Sequence, residues 1–169
     1  MTSIPTVQWD GAGLSELFRE RYLDLVRLAG LLGADDPEDI AQEAFTRLMK
    51  KGSPPANPVP YLRTIVCNLT RNRHRHLSVV RRRTPAPVDE PSTEHAAIAR
   101  EEHAEVIAAL ATLPIRRREA IVLRYWLGLS EREIAQAMGI SSGTVKSHVS
   151  RGLAALARVL EPRAEGGNA

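Results

Sequence analysis

At 169 residues, with a formal net charge of +3, one cysteine, 43% hydrophobic and only 4% aromatic residues, the chain has the length of one domain or two small ones. Its Ala/Leu-rich, aromatic-poor composition favours helices over a β-sandwich, and the lone Cys67 excludes an internal disulfide, which fits a reducing, cytosolic setting. No apolar run approaches membrane-spanning length, and residues 1–13 lack the basic start and apolar middle of a signal peptide, so export and membrane insertion are not expected.

Charge is segregated along the chain. Arg63 to Arg83 holds seven arginines and no acid, whereas Asp89 to Glu105 holds six acids against Arg100 alone. Two basic surfaces therefore flank an acidic connection.

In chain order, Leu14, Leu17, Phe18, Leu25, Leu28 and Leu32 form a helical stripe that ends at Gly33 and is expected in the core. Asp36 then caps a helix with Pro37 at its first position and Glu38 and Asp39 in its first turn, where carboxylates complement the helix dipole. Ile40, Ala44 and Leu48 face inward in that helix, which leaves Asp39, Gln42, Glu43 and Thr46 available to a partner. The stretch from Lys50 to Pro60, with four prolines, reads as a loop closing on an Asn57 cap.

The third helix starts at Pro58. Leu62, Ile65, Val66 and Leu69 supply its apolar side, and Arg63, Asn68, Arg71, Asn72 and Arg75 decorate the rest before the basic run Arg81, Arg82 and Arg83. Amides beside cations can hold unpaired bases while the cations track phosphates; a solvated basic face is the alternative. Thr84 to Thr93 is proline-rich, acidic and nearly devoid of apolar side chains, and reads as a flexible linker. The expected organisation is thus all-α, with a first small helical domain at 1–83, a linker at 84–93 and a second helical domain at 94–169. Helices are predicted from about Thr93 to Ala111 and from Ile115 to Leu127, the latter stopping at Gly128.

Ser130 with Glu133 fits a capping box, so another helix begins there, with Ile134, Ala135 and Met138 on its apolar face. Gly139 provides the turn and Ser141 caps a second helix, completing a helix-turn-helix. In that second helix Val145, Val149, Leu153 and Leu156 recur at helical spacing, so Lys146, Ser147, Ser150 and Arg151 must lie on the outward side. Short donors and cations on such a helix suit a DNA major groove, where Arg and Lys pair with guanine edges and Ser with several bases. An ordinary helical hairpin with a polar face is the alternative.

Nothing in the chain argues for catalysis, and neither a metal nor a cofactor is expected. The acids Asp35, Asp36, Glu38 and Asp39 are explained by capping. His74 and His76, two residues apart, point to different faces of a basic helix and are expected at the surface. Cys67 lies on an apolar-rich helix, with no histidine pattern around it.

Together these pieces resemble the extracytoplasmic-function group of bacterial RNA polymerase sigma factors, within the sigma-70 family, which possess only the second and fourth sigma domains. The segment from Asp36 to Phe45, Asp-Pro-Glu-Asp-Ile-Ala-Gln-Glu-Ala-Phe, is similar to the family's polymerase-clamp-binding helix. Residues 123–135 and 143–151 resemble its promoter-reading module. The resemblance implies that Asp39, Gln42 and Glu43 grip the β′ clamp helices of core RNA polymerase and that Asn68 and Asn72 lie near the melted minus-10 element, where Arg71 and Arg75, read as exposed cations on the same helix, are expected to hold the strand with them. It also implies that Arg124, Lys146, Ser147, His148, Ser150 and Arg151 touch the minus-35 element, and that the second domain also binds the polymerase β flap. Promoter DNA and core polymerase are the implied partners, no membrane is involved, and an anti-sigma protein is left open. Two departures stand out: the 50–60 loop lacks the aromatic and acidic residues common in relatives, and Tyr61 stands where tryptophan is usual. A polymerase-independent regulator using the same helix-turn-helix is the competing reading, distinguished by a palindromic footprint of an isolated dimer.

Overall fold

A computed structural model describes residues 10–83 and 104–161, and among these every regular element is a helix. The elements are α1 (Gly11–Leu31), α2 (Pro37–Lys50), α3 (Pro58–Arg83), α4 (104–111), α5 (Ile115–Ile121), α6 (Glu131–Met138) and α7 (Ser142–Leu160). The expected linker and the first half of the helix predicted from Thr93 lie outside the described residues.

The caps act where the sequence places them. Asp36 accepts the amide of Asp39 at 3.0 Å, with Pro37 opening α2 and Arg47 and Lys50 in its last turn, so both helix ends meet complementary charge. Asn57 Oδ1 accepts the amide of Val59 at 3.3 Å at the start of α3. Helix α1 stops two residues before Gly33, whose φ of +88° is open to glycine at little cost.

Helices α1, α2 and α3 pack together around Leu25, Leu28, Ile40, Ala44, Leu48, Leu62 and Val66, all nearly inaccessible to water. Each large aliphatic buried there is worth about 1.5–3 kcal/mol of transfer free energy. Phe18 departs from its expected core position: it is 41% exposed, with its ring stacked on Tyr22 (centroids 4.6 Å apart) and tilted against Phe45. The second half is built on α5, α6 and α7, with Ala120, Ile121, Leu123, Ile134, Met138 and Val145 inside.

Two details of that half differ from the periodicity reading. Helix α5 does not run regularly to Leu127 but widens after Ile121 into a π-helical turn, Val122–Trp126, closed by the Leu127 amide on the Val122 carbonyl at 3.3 Å. In α7 the inward seam passes through Gly152, which is buried, while Leu153 is 41% exposed. Ile121 forces this register, because a Cβ on Gly152 would lie 2.9 Å from Ile121 Cγ1. Only glycine lets α7 approach α5 so closely.

The buried side chains of both halves join in one cluster, because α3 packs against α6 as well as against α1 and α2.

Candidate nucleic-acid interface

The helix-turn-helix is fixed at each joint. The Ser130 amide and hydroxyl donate to Glu133 Oε2 at 2.8 and 2.9 Å and hold the exposed carboxyl below its ordinary range, and the Glu133 amide donates back to Ser130 Oγ at 3.3 Å. Gly139 turns the chain at φ +66°, and Ser141 Oγ accepts the Thr144 amide at 3.2 Å to start α7. Fully buried Val145 anchors the first turn of α7. Lys146, Ser147, Ser150 and Arg151 are all exposed on its outer side, and no ion pair involves Lys146 or Arg151 among the described residues. The four side chains therefore share one exposed side of α7.

His148 is half-buried on the flank of that face. Burial, then the charges of Arg116, Arg117 and Arg151, push its pKa below 6.5, so it is a neutral imidazole at neutral pH, with one donor and one acceptor. Arg124 sits apart, exposed on the π-helical turn beside Tyr125 and Trp126, which are 61% and 51% exposed. It precedes α7 in the chain.

On α3, Asn68, Asn72 and Arg75 are exposed. Arg71 is not the outward donor that the helix pattern suggests. Its side chain is 14% exposed, and its Nη2 donates to Glu119 Oε1 at 2.5 Å while Nη1 donates to Asn68 Oδ1 at 3.0 Å. His74 also lies deeper than expected, half-buried with Nε2 at 3.3 Å from the Leu32 carbonyl, whereas His76 is exposed. Tyr61, at the start of α3, carries the Lys51 ammonium over its ring at 4.9 Å.

On α2, Asp39 and Gln42 are exposed and Glu43 is half-buried. Asp39 is hydrogen-bonded to Arg73 of α3, which raises the arginine's pKa further, and Glu43 accepts from Arg47 Nε at 3.0 Å along the helix. The acidic edge of α2 and the basic edge of α3 are thus ion-paired neighbours.

Two residues outside the expected set, Arg118 and Glu119, reach from the second half to the first, with Arg116 bracing Glu119, while Arg73 ties α3 to α2 within the first half. Glu119 is 5% exposed, and its second oxygen accepts from Arg116 Nη1 at 3.0 Å, while Arg116 Nη2 reaches the Met138 carbonyl at 2.9 Å. Arg118 Nε donates to the Leu31 carbonyl at 2.6 Å, satisfying an otherwise free carbonyl at the end of α1, and burial lowers its pKa. The signal for this contact is a stripe along α3, Cys67, Thr70, Arg71 and His74, at helical spacing and adjoining the side of Leu62 and Val66. Cys67 is completely buried, and burial and then Glu119 push its thiol pKa up, so it is inert as a nucleophile. No cluster of three or more His, Cys, Asp or Glu suited to a metal occurs among the described residues.

The family model for sigma-70 region 4 matches residues 103–156, the span of α4 to α7 up to Leu156. The RNA polymerase sigma-E factor of Streptomyces avermitilis is 34% identical over 157 residues, covering 88% of this chain and 85% of the relative. The ECF RNA polymerase sigma factor SigM of Mycobacterium tuberculosis is 30% identical over 160 residues, covering 91% of this chain and 80% of the relative. In fold, the chain is similar to the sigma factor RpoE solved with the anti-sigma factor NepR from Bartonella quintana (TM-score 0.67, 23% identity, covering 88% of this chain and 97% of that one). The chain belongs to the extracytoplasmic-function group of RNA polymerase sigma factors.

Proposed function

We propose that this chain binds core RNA polymerase in the cytoplasm, reads the minus-35 and minus-10 elements of its promoters and promotes strand opening, contributing recognition and no bond chemistry of its own. The observation that carries this reading is the outer side of α7, where Lys146, Ser147, Ser150 and Arg151 stand exposed on a helix whose inner side is locked by Val145 and Gly152. His148 joins that set as a neutral flank, and Arg124 serves as a phosphate clamp. Residues 1–83 act as sigma domain 2, with Asp39, Gln42 and Glu43 toward the β′ clamp helices and Asn68, Arg71, Asn72 and Arg75 toward the opened minus-10 strand. Residues 94–169 act as sigma domain 4, which also engages the β flap, and 84–93 link the two. An anti-sigma protein is a further partner on the same family reading, supported by the complex in which RpoE was solved. No described helix is long and apolar enough to cross a membrane.

Run-off transcription with purified core polymerase across a genomic promoter library tests the reading. The expected outcome is initiation from a promoter subset that needs this chain. Absence of any such promoter, together with a palindromic footprint made by the chain alone, would overturn it in favour of a polymerase-independent regulator.

A further inference from the structure

A cavity of about 240 Å³ lies where α1 and α3 meet the end of the π-helical turn. Its floor is aliphatic and formed by Leu25, Leu28 and Leu62, all buried. Its rim is of another kind, with Arg21 from α1, Arg63 from α3 and the indole of Trp126. None of these three belongs to the sets that face promoter or polymerase.

Each rim group has binding capacity that the protein leaves unused. Arg63 takes part in no ion pair among the described residues, although its charge reaches Glu133 of α6. Arg21 Nε is sealed from water with no acceptor among those residues, and an N–H in that state has lost its hydration without a return until something accepts it. The ion-pair partner of Arg21, Asp24, stands 4.0 Å from Nη1 and is shared with Arg27 at 3.9 Å, too far to close the donor fork of the guanidinium. Trp126 is 51% exposed and has no ring partner among the described residues.

These features narrow the ligand. An aliphatic floor rejects a bare inorganic anion, which would lose hydration there without gaining donors. Two arginines against the single Asp24 give the rim a net positive charge and reject a cation. The open indole offers its face to a flat ring. The volume falls below the roughly 300–1,000 Å³ of sites that enclose drug-sized ligands, so a single ring system fills it and the charged end stays at the mouth beside the arginines. A flat heterocycle carrying phosphate meets all of these conditions, because phosphate oxygens match the planar donor forks of arginine.

We propose that this cavity is a binding site for a nucleoside phosphate, with its base against Trp126 and its phosphates on Arg21 and Arg63. The site uses neither the outer side of α7 nor any residue of α2, so it stands apart from the sigma reading and is tested on the free chain. A ligand that binds the folded chain and not the unfolded one raises its melting temperature by mass action.

The test is calorimetric titration and thermal melting of the full chain with ADP and GDP, beside adenosine and inorganic phosphate, for wild type, Trp126→Ala and Arg63→Gln, each checked for helix content by circular dichroism. At least one of the two nucleotides should bind wild type at a single site with a Kd below about 1 mM. It should raise the melting temperature by about 4 °C at ten times Kd. Adenosine and phosphate should each bind about tenfold more weakly or worse, and each substitution should weaken the nucleotide about tenfold, the scale of one stacked base or one charge-assisted contact. Arg63→Lys, which keeps the charge without the fork, should recover part of the loss. The two substitutions fall on different elements, so one that fails to fold leaves the other to decide. No binding of either nucleotide below 1 mM overturns the proposal. Binding that both variants retain in full overturns it too, by placing the nucleotide on the open basic faces, as does phosphate that binds as tightly as nucleotide, which leaves an adventitious ion only. Failure of run-off transcription with nucleotide binding intact defeats the sigma reading and leaves the site standing.

Discussion

The outer side of α7 and the basic side of α3 carry similar chemistry, cations beside short hydrogen-bonding side chains, but the protein treats them differently. On α7, Lys146 and Arg151 are exposed and take part in no ion pair among the described residues. On α3, Arg71 and Arg73 are engaged with Glu119 and Asp39, while Asn68, Asn72 and Arg75 are exposed. A cation exposed to water binds DNA chiefly by releasing counterions, and it binds at once. A cation already paired with a buried carboxylate must first exchange partners. On the proposed function, the difference fits an order of events in which duplex recognition by α7 precedes strand capture by α3.

The largest effect should come from removing what holds α7 in place. Ile134 is fully buried in α6, and Ile134→Ala leaves a cavity under the helix-turn-helix. Urea denaturation should report a loss of about 2–5 kcal/mol. A loss under about 1 kcal/mol would mean that α7 is positioned from elsewhere, and the contrast between the two faces would lose its structural basis. Next in size are Lys146→Ala and Arg151→Ala, which should cost about 1–3 kcal/mol on the preferred minus-35 sequence and less on altered ones. Arg124→Ala should instead weaken all variants alike and reduce the salt slope by about one. Holoenzyme affinities over single-base variants at several salt concentrations separate these outcomes. Equal losses everywhere for Lys146→Ala would make α7 a positioning helix and not a reader.

The contrast also marks what could be read from the sequence. Caps and helix starts were legible because each is local: Asp36, Asn57, Ser130 and Ser141 act within three residues of themselves. The outward side of α7 was legible because its four residues share one period. Leu153 was misjudged because the true seam runs through Gly152, and a glycine contributes nothing to a hydrophobic pattern although it is where Ile121 packs. Phe18 was misjudged because stacking on Tyr22 and Phe45 shields a ring without enclosing it. Arg71 with Glu119 was not legible at all: the two are 48 residues apart, and a charged side chain in a helix pattern is read as exposed unless its partner is known. A polar stripe that interrupts a basic face, Cys67 to His74, was the one available sign.

On α3 the exposed amides give a smaller effect, and one with a different signature. Asn72 is exposed, so Asn72→Ala should leave stability within about 0.5 kcal/mol. It should cost about 1 kcal/mol in strand opening, the scale of one hydrogen bond to an unpaired base. Permanganate reactivity of thymines in the minus-10 region would then rise more slowly, with closed-complex affinity unchanged. Wild-type opening kinetics would return the exposed amides of α3 to an ordinary solvated surface, and the ordering of the two faces would fail with them.

The smallest effect concerns the flank of α7, where the comparison can be sharpened by pH. His148 is neutral in the folded chain because burial and the neighbouring Arg116, Arg117 and Arg151 disfavour its cation, which places its pKa below the ordinary 6.5. Above that value folded and unfolded chains are both unprotonated here, and His148 leaves stability independent of pH. As pH falls through 6.5 the unfolded chain takes up a proton that the folded chain still resists, so stability is lost with acid until the folded value is passed. His148→Gln removes the titration, and its urea midpoint should fall less than the wild type's between about pH 7 and pH 5, while the two agree in slope above that range. Parallel curves throughout would mean that His148 is equally protonated in both states. It would then belong with Lys146 and Arg151 as a solvent-facing cation and not with the packed side of α7.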